Sequence, residues 1–323
     1  GLALTSPLWN NGFLISGTNK GEKAMKPDYF GFSEEELRKI LEIGLSKGGD
    51  FSELYFEHTI SNSVDMSEDI IKSSSESISL GVGVRVIKDK QTGYGFTNEL
   101  TYESIKNAML TAAAIASGNS KLKVANLKVI SPVASVYDMK NPYAEAKLDS
   151  KIELIKRAYN SAQKYDNKIV KISVGLADSL QKVTIVNSEG LAVTDIRPQM
   201  RLFVSSTAEF NGKKATGSKS EGGRFGMNFA NAQKPEDVGR QASEEAIILL
   251  DAVNPPTGEQ PVVLKYGQSG VMIHEAVGHP LEADANWKKQ SIMWDKMGQM
   301  VSKPFVTIYD DATIPNFRGS LSV

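Results

Sequence analysis

Histidine is scarce in this chain, with three among 323 residues. Two of the three, His274 and His279, stand five apart in "GVMIHEAVGHPLEAD", with Glu275 directly after the first. A pair of neutral imidazoles suits a zinc ion, and a catalytic zinc takes a third protein ligand and a water. Glu275 is then placed as general base, receiving the proton of a water whose pKa the metal has lowered to about 7. Glu282 and Asp284 lie within reach in sequence. Their expected place is behind the ligands, orienting them, with direct oxygen ligation as the other reading. His58, alone in a strand-like run, reads as an ordinary half-buried side chain.

The spacing poses a geometric problem. The familiar zinc-peptidase pair is H-E-x-x-H, in which residues four apart share a helix face. Here the motif is H-E-x-x-x-H, and five positions on a regular α-helix rotate the second ring by about 140°. A bend must bring His279 back. The first expectation is a helix over about 270–277, ended by Gly278 in a left-handed conformation, with Pro280 steering His279 to extended angles. A π-type turn achieves the same alignment.

Other elements must carry this stretch. Ser33 and Glu36 form a capping box before the apolar stripe Leu37, Ile40, Leu41 and Leu45. The period then becomes two over Phe51–Ser61, Ser77–Ile87 and Gly93–Thr97, which predicts antiparallel strands followed by a helix over Thr101–Ser117. Gly118–Leu148, with Pro132 and Pro142, reads as connection. A helix over Asp149–Tyr165 precedes β-rich runs punctuated by Asn187-Ser188-Glu189-Gly190 and Asn211-Gly212. Pro235 opens a further helix reaching about Ala252, and "PVVLKY" reads as a short strand. The fold class is α+β, with helices packed on antiparallel or mixed sheets. Its expected parts are an arm over 1–32, a domain over 33–252 built from units near 33–120 and 149–230, and a further domain from 253 onward.

The balance of 37 basic against 38 acidic side chains gives a net charge of -1. That balance offers nothing to nucleic acid or an anionic membrane. No run approaches the roughly 20 apolar residues of a membrane span. With no cysteine in the chain, neither a disulfide framework nor a thiolate zinc site can come from these residues. Residues 1–17 are mildly apolar and lack a basic start, which favours an ordinary arm over the remnant of an export signal.

The stretch around His274 resembles the H-E-A-V-G-H-G-L-E-G-D block of the TldD/PmbA family, in its motif-bearing TldD-like branch. Downstream, "VTIYDDATIPNFRGSL" is similar to the family's V-x-D-D-x-T-x-P…R-G-S segment, through Asp310, Asp311, Thr313, Pro315, Arg318, Gly319 and Ser320. Pro280 and Ala283 replace glycines common in the first block. The resemblance implies a zinc-dependent peptidase acting on unfolded or short peptides, with one zinc per full-length subunit and no organic cofactor. It implies His274 and His279 as ligands, Glu275 as catalytic acid/base, and a cysteine beyond Val323 as the third ligand. Residues 253–323 would be the beginning of a β-rich metallopeptidase domain, and this chain alone is expected to be inactive. The implied setting is the cytoplasm, with export as the alternative. The implied assembly is a homodimer or a heterodimer with a PmbA-like subunit. A non-catalytic scaffold subunit of such a complex is the competing reading.

Overall fold

The computed structural model describes residues 28–130, 136–137, 143, 146–227, 234–267 and 269–322. Residues 1–27 of the expected arm over 1–32, including the stretch weighed as an export signal, and both connection prolines lie outside them. The described residues divide into two compact units, one of Lys23–Ala252 with Ala312–Val323 and one centred on Val253–Asp311.

The larger unit is α+β. Helix α1 (Glu34–Leu45) starts at the expected capping box: the Ser33 N–H donates to Glu36 Oε2 at 2.8 Å, and the Glu36 N–H to Ser33 Oγ at 3.3 Å. Strands β1 (Phe51–Ser67), β2 (Ile70–Lys88) and β3 (Gln91–Thr97) follow, then α2 (Tyr102–Ile115), β4 (Lys128–Val129) and α3 (Leu148–Gln163). The second half runs β5 (Ile169–Asn187), β6 (Leu191–Phe210), β7 (Lys213–Gly223) and α4 (Pro235–Leu250). All seven strands belong to one sheet in the order β3-β2-β1-β5-β6, with β4 and β7 both on β6. Pairing is antiparallel except for the short β4.

The turn chemistry explains the hairpins. Glu68 and Asp69 both adopt positive φ (54° and 59°) between β1 and β2, as do Asn211 and Gly212 (47° and 77°) between β6 and β7. Two consecutive left-handed residues match the right-handed twist of the flanking strands. The β5–β6 turn is held by Asn187, whose Oδ1 accepts the N–H groups of Glu189 and Leu191, each at 3.0 Å.

The helices cover one face of the sheet in two pairs. Helices α1 and α2 bury Leu37, Ile40, Leu41, Ile105 and Met109 against Leu54, Phe56, Val82, Val84 and Val86. Helices α3 and α4 bury Ile155, Ala158 and Ala242 against Val174, Leu176, Leu202 and Val204. At Gly239 a Cβ would stand 2.0 Å from the Ala158 carbonyl oxygen, so α3 and α4 meet backbone to backbone. Each fully buried Leu, Ile, Val, Met or Phe side chain contributes about 1.5–3 kcal/mol. A buried ion pair joins helix to sheet, with Lys151 Nζ 2.7 Å from Asp178 Oδ2 and Asn62 Nδ2 3.1 Å from the other carboxylate oxygen.

The unit centred on 253–311 is built of short pieces. Residues 261–266, expected as a strand, carry no strand in the structure. An apolar run becomes a strand only when a neighbouring edge supplies its hydrogen bonds, and none of the described residues does so. Helix α5 (Gly270–Ile273), a π-helical turn (His274–Gly278), a 3₁₀ turn (His279–Leu281) and α6 (Ala283–Trp287) carry the histidine motif. No helix among the described residues is long and apolar enough to cross a membrane.

Candidate metal centre

The extra residue between the histidines is absorbed by the π-helical turn. The His279 N–H donates to the His274 carbonyl, an i→i+5 bond that closes the turn on the two histidines themselves. Their rings consequently meet, with centroids 4.4 Å apart and planes at 67°. Of the two expected routes the structure takes the π turn and departs from the bend. Gly278 has φ -59° and ψ -60°, and His279 has φ -58° and ψ -43°, both right-handed helical. Pro280 therefore does not push His279 to extended angles. It instead occupies the start of the 3₁₀ turn, where a missing N–H costs little. Gly278 has a different reason to be small, since a Cβ there would lie 3.5 Å from His274 Nδ1. One methyl fits in van der Waals contact, and anything larger would crowd the ring.

His274, Glu275 and His279 each offer a ligand atom, and the three atoms all lie within 4.8 Å of one another. Two nitrogens on one zinc, at bonds of about 2.0–2.1 Å, can be no more than roughly 4 Å apart. The donor types fit the ion, and their spacing of up to 4.8 Å is slightly wider than a bound zinc would hold them. All three residues are exposed. His279 Nδ1 is 2.5 Å from Glu282 Oε1. That contact commits Nδ1 as a donor and leaves Nε2, which faces Glu275 Oε2 at 3.6 Å. A carboxylate on one imidazole nitrogen fixes the tautomer and increases the basicity of the other. The Glu282 hydrogen bond also raises the His279 pKa, assisted by the charges of Glu282 and Glu275 and opposed by slight desolvation. A proton and a cation therefore compete for Nε2.

Asp284 stands apart from this cluster and lies 3.5 Å from Lys288 Nζ. His58 is a half-buried residue of β1, opposite Leu80 and Lys182 in the sheet. Two residues not singled out in the sequence brace the motif from behind. Asn286 Nδ2 donates to the carbonyls of Pro280 and Glu282, both at 2.8 Å, and Ser291 Oγ donates to Pro280 O at 2.5 Å. The available signal was Asn286 inside a helical segment, where a side-chain amide commonly bonds back to an earlier carbonyl.

The chain also resembles known proteins along most of its length. Residues 52–116 match the family model of PmbA/TldA metallopeptidase domain 1, residues 141–250 the central domain, and residues 257–323 the C-terminal domain. A metalloprotease TldD homolog of Haemophilus influenzae is 35% identical over 302 residues, covering 90% of this chain and 62% of that protein. A metalloprotease of Methanocaldococcus jannaschii is 30% identical, over 88% of this chain and 62% of its own length. The chain thus spans about 62% of the length of these relatives. A crystal structure of a protein described as a modulator of DNA gyrase, from Bacteroides thetaiotaomicron, shares the fold with TM-score 0.68. It is 17% identical, over 87% of this chain and 64% of that one.

Proposed function

We propose, from the premise that this chain belongs to the TldD/PmbA metallopeptidase family, that His274, Glu275 and His279 are the working centre of a zinc peptidase acting on unfolded or short peptides. The observation that carries this reading is the π turn, which gathers two imidazoles and a carboxylate within 4.8 Å. In this reading His274 and His279 hold the ion, and a cysteine beyond Val323 completes the ligand set. The zinc supplies, when bound, a Lewis acid for the scissile carbonyl and a more acidic water. Glu282 holds His279 in the tautomer that leaves Nε2 free. The Glu275 carboxylate takes the proton of the attacking water and returns it to the departing amide nitrogen. Its exposed position and its adjacency to the first ligand support that role. The domain boundary near residue 253, a cytoplasmic setting, and a second subunit, either another copy or a PmbA-like chain, belong to the same proposal.

The test is hydrolysis of an unfolded polypeptide by the full-length protein loaded with zinc. Glu275→Gln is expected to retain stoichiometric zinc and to lose about 10²–10⁴-fold in kcat. The reading is abandoned if the loaded wild type leaves the polypeptide uncut, or if the glutamine variant cuts it equally well.

A further inference from the structure

We infer that a polar trough on the helix-free face of the sheet binds a peptide carboxylate through Arg201 and Arg318. Side chains alternate across a strand, and the register places two rows side by side on this face. One row runs Ser75, Ser63, Ala177, Arg201, and the other Ser77, Ser61, Ser179, Gln199. Asn62 and Asp178, one position along, point to the opposite face, where Asp178 meets Lys151 of α3. Five of these eight side chains are serines. A row of such small side chains between longer neighbours leaves a trough of about 400 Å³, with Arg201 and Arg318 among its walls.

Arg318 reaches the trough because its backbone is fixed. The Arg224 N–H donates to Asn316 O at 2.9 Å, and the Arg224 Nε–H to Arg318 O at 3.1 Å. Farther along, the Ser322 N–H donates to Tyr137 Oη at 2.7 Å. Tyr137 in turn donates to Asp195 Oδ2 at 3.2 Å, and Arg197 Nε donates to the same oxygen at 2.7 Å. These anchors hold the main chain around Arg318 while its side chain stays exposed. Among the described residues the guanidinium of Arg318 has no carboxylate partner, and Arg201 donates only to a neutral hydroxyl, Ser220 Oγ at 3.3 Å. Asp178, which also lines the trough, is engaged by Lys151 at 2.7 Å, and Asp65, one row along on the same face, accepts from Ser73 Oγ at 2.9 Å. Two guanidinium groups without a carboxylate partner among the described residues thus border a hydroxyl-rich space.

A guanidinium is a planar fork that pairs two N–H groups with the two oxygens of a carboxylate. Serine hydroxyls can donate to the lone pairs left over. The inference rests on the proposed peptide substrate, from which the carboxylate follows as a C-terminus or an Asp or Glu side chain.

The experiment measures binding of labelled short peptides to the full-length protein, with zinc chelated so that nothing is cut. Three otherwise identical peptides are compared: a free acid, a neutral amide, and an amide carrying one internal Glu. At least one anionic peptide is expected to bind about tenfold more tightly than the neutral amide, and which one does so identifies the source of the carboxylate. The advantage should shrink below about twofold in Arg201→Gln and in Arg318→Gln, both exposed positions. It should persist in Arg85→Gln, an arginine already paired with Glu53 at 2.7 Å. Equal binding of acids and amide overturns the inference, as does an advantage that survives both glutamine substitutions. Displacement of every peptide by an equal concentration of sulfate overturns it too, since the trough would then take simple anions. Cleavage by zinc-loaded protein without carboxylate preference sinks this inference alone. Carboxylate preference without cleavage sinks the proposed peptidase and leaves the trough standing.

Discussion

Between residues 34 and 250 each of the four helices buries one face, whereas among the described residues of 253–311 only Ser291 is buried. In the sheet unit, geometry is set by packing: a side chain such as Phe56 sits where the volume around it allows. In the motif-bearing unit Val263, Tyr266, Phe305 and Tyr309 stand 86–97% exposed. The arrangement of the histidines comes from hydrogen bonds local in sequence, namely the His279–His274 backbone bond and the donations of Asn286 and Ser291 to Pro280. The comparison teaches that the approach of the two imidazoles is encoded by hydrogen bonds local in sequence, whereas the sheet unit depends on contacts between distant residues.

The sharpest way to break that contrast is to damage the core. Phe56→Ala should lower the stability of the sheet unit by about 3–5 kcal/mol, read by urea denaturation, while zinc affinity changes by less than about twofold. A parallel fall in zinc affinity would mean that the motif depends on the core after all. The converse substitution is Glu282→Gln, which removes the charge holding His279 Nδ1. Zinc affinity, measured against a competing chelator, should fall about 10–100-fold, with no shift of the urea midpoint. The smallest effect sharpens the contrast at the helix pair. Arg157 Nε lies 2.7 Å from Glu236 Oε1, and that hydrogen bond lowers the Glu236 pKa against a modest desolvation. A carboxylate whose folded pKa is lowered stabilises the fold above its unfolded value near 4.5 and loses that contribution as pH falls. The pair is well exposed, so Glu236→Gln should cost only a few tenths of a kcal/mol at pH 7. As pH falls through the lowered folded pKa of Glu236, the mutant and the wild type should converge in stability.

Much of the sheet unit could be read from the sequence because its signals are local. The capping box at Ser33, the proline at the start of α4 and the Asn211-Gly212 turn each specify structure within four residues. What sequence did not reveal was the pairing of β1 with β5, which joins residues more than a hundred positions apart and makes one sheet of all the strands. Strand partners depend on the whole chain, so periodicity names strands without naming neighbours. The same reason defeats the strand expected at 261–266. At the histidine motif, residue types and spacing were sufficient to foresee two imidazoles meeting. They did not distinguish a bend at Gly278 from a π turn, because glycine tolerates both conformations and proline at the start of a 3₁₀ turn is as acceptable as proline after a bend.

The five-residue hydrogen-bonded ring between His274 and His279 carries an evolutionary implication. Removing one residue from the loop of Ala276, Val277 and Gly278 would let that ring contract to an ordinary helical turn, leaving the two imidazoles on a single face at the shorter spacing. By this geometry the two kinds of histidine motif lie one codon deletion apart, and distant ancestry need not be invoked to pass from one to the other.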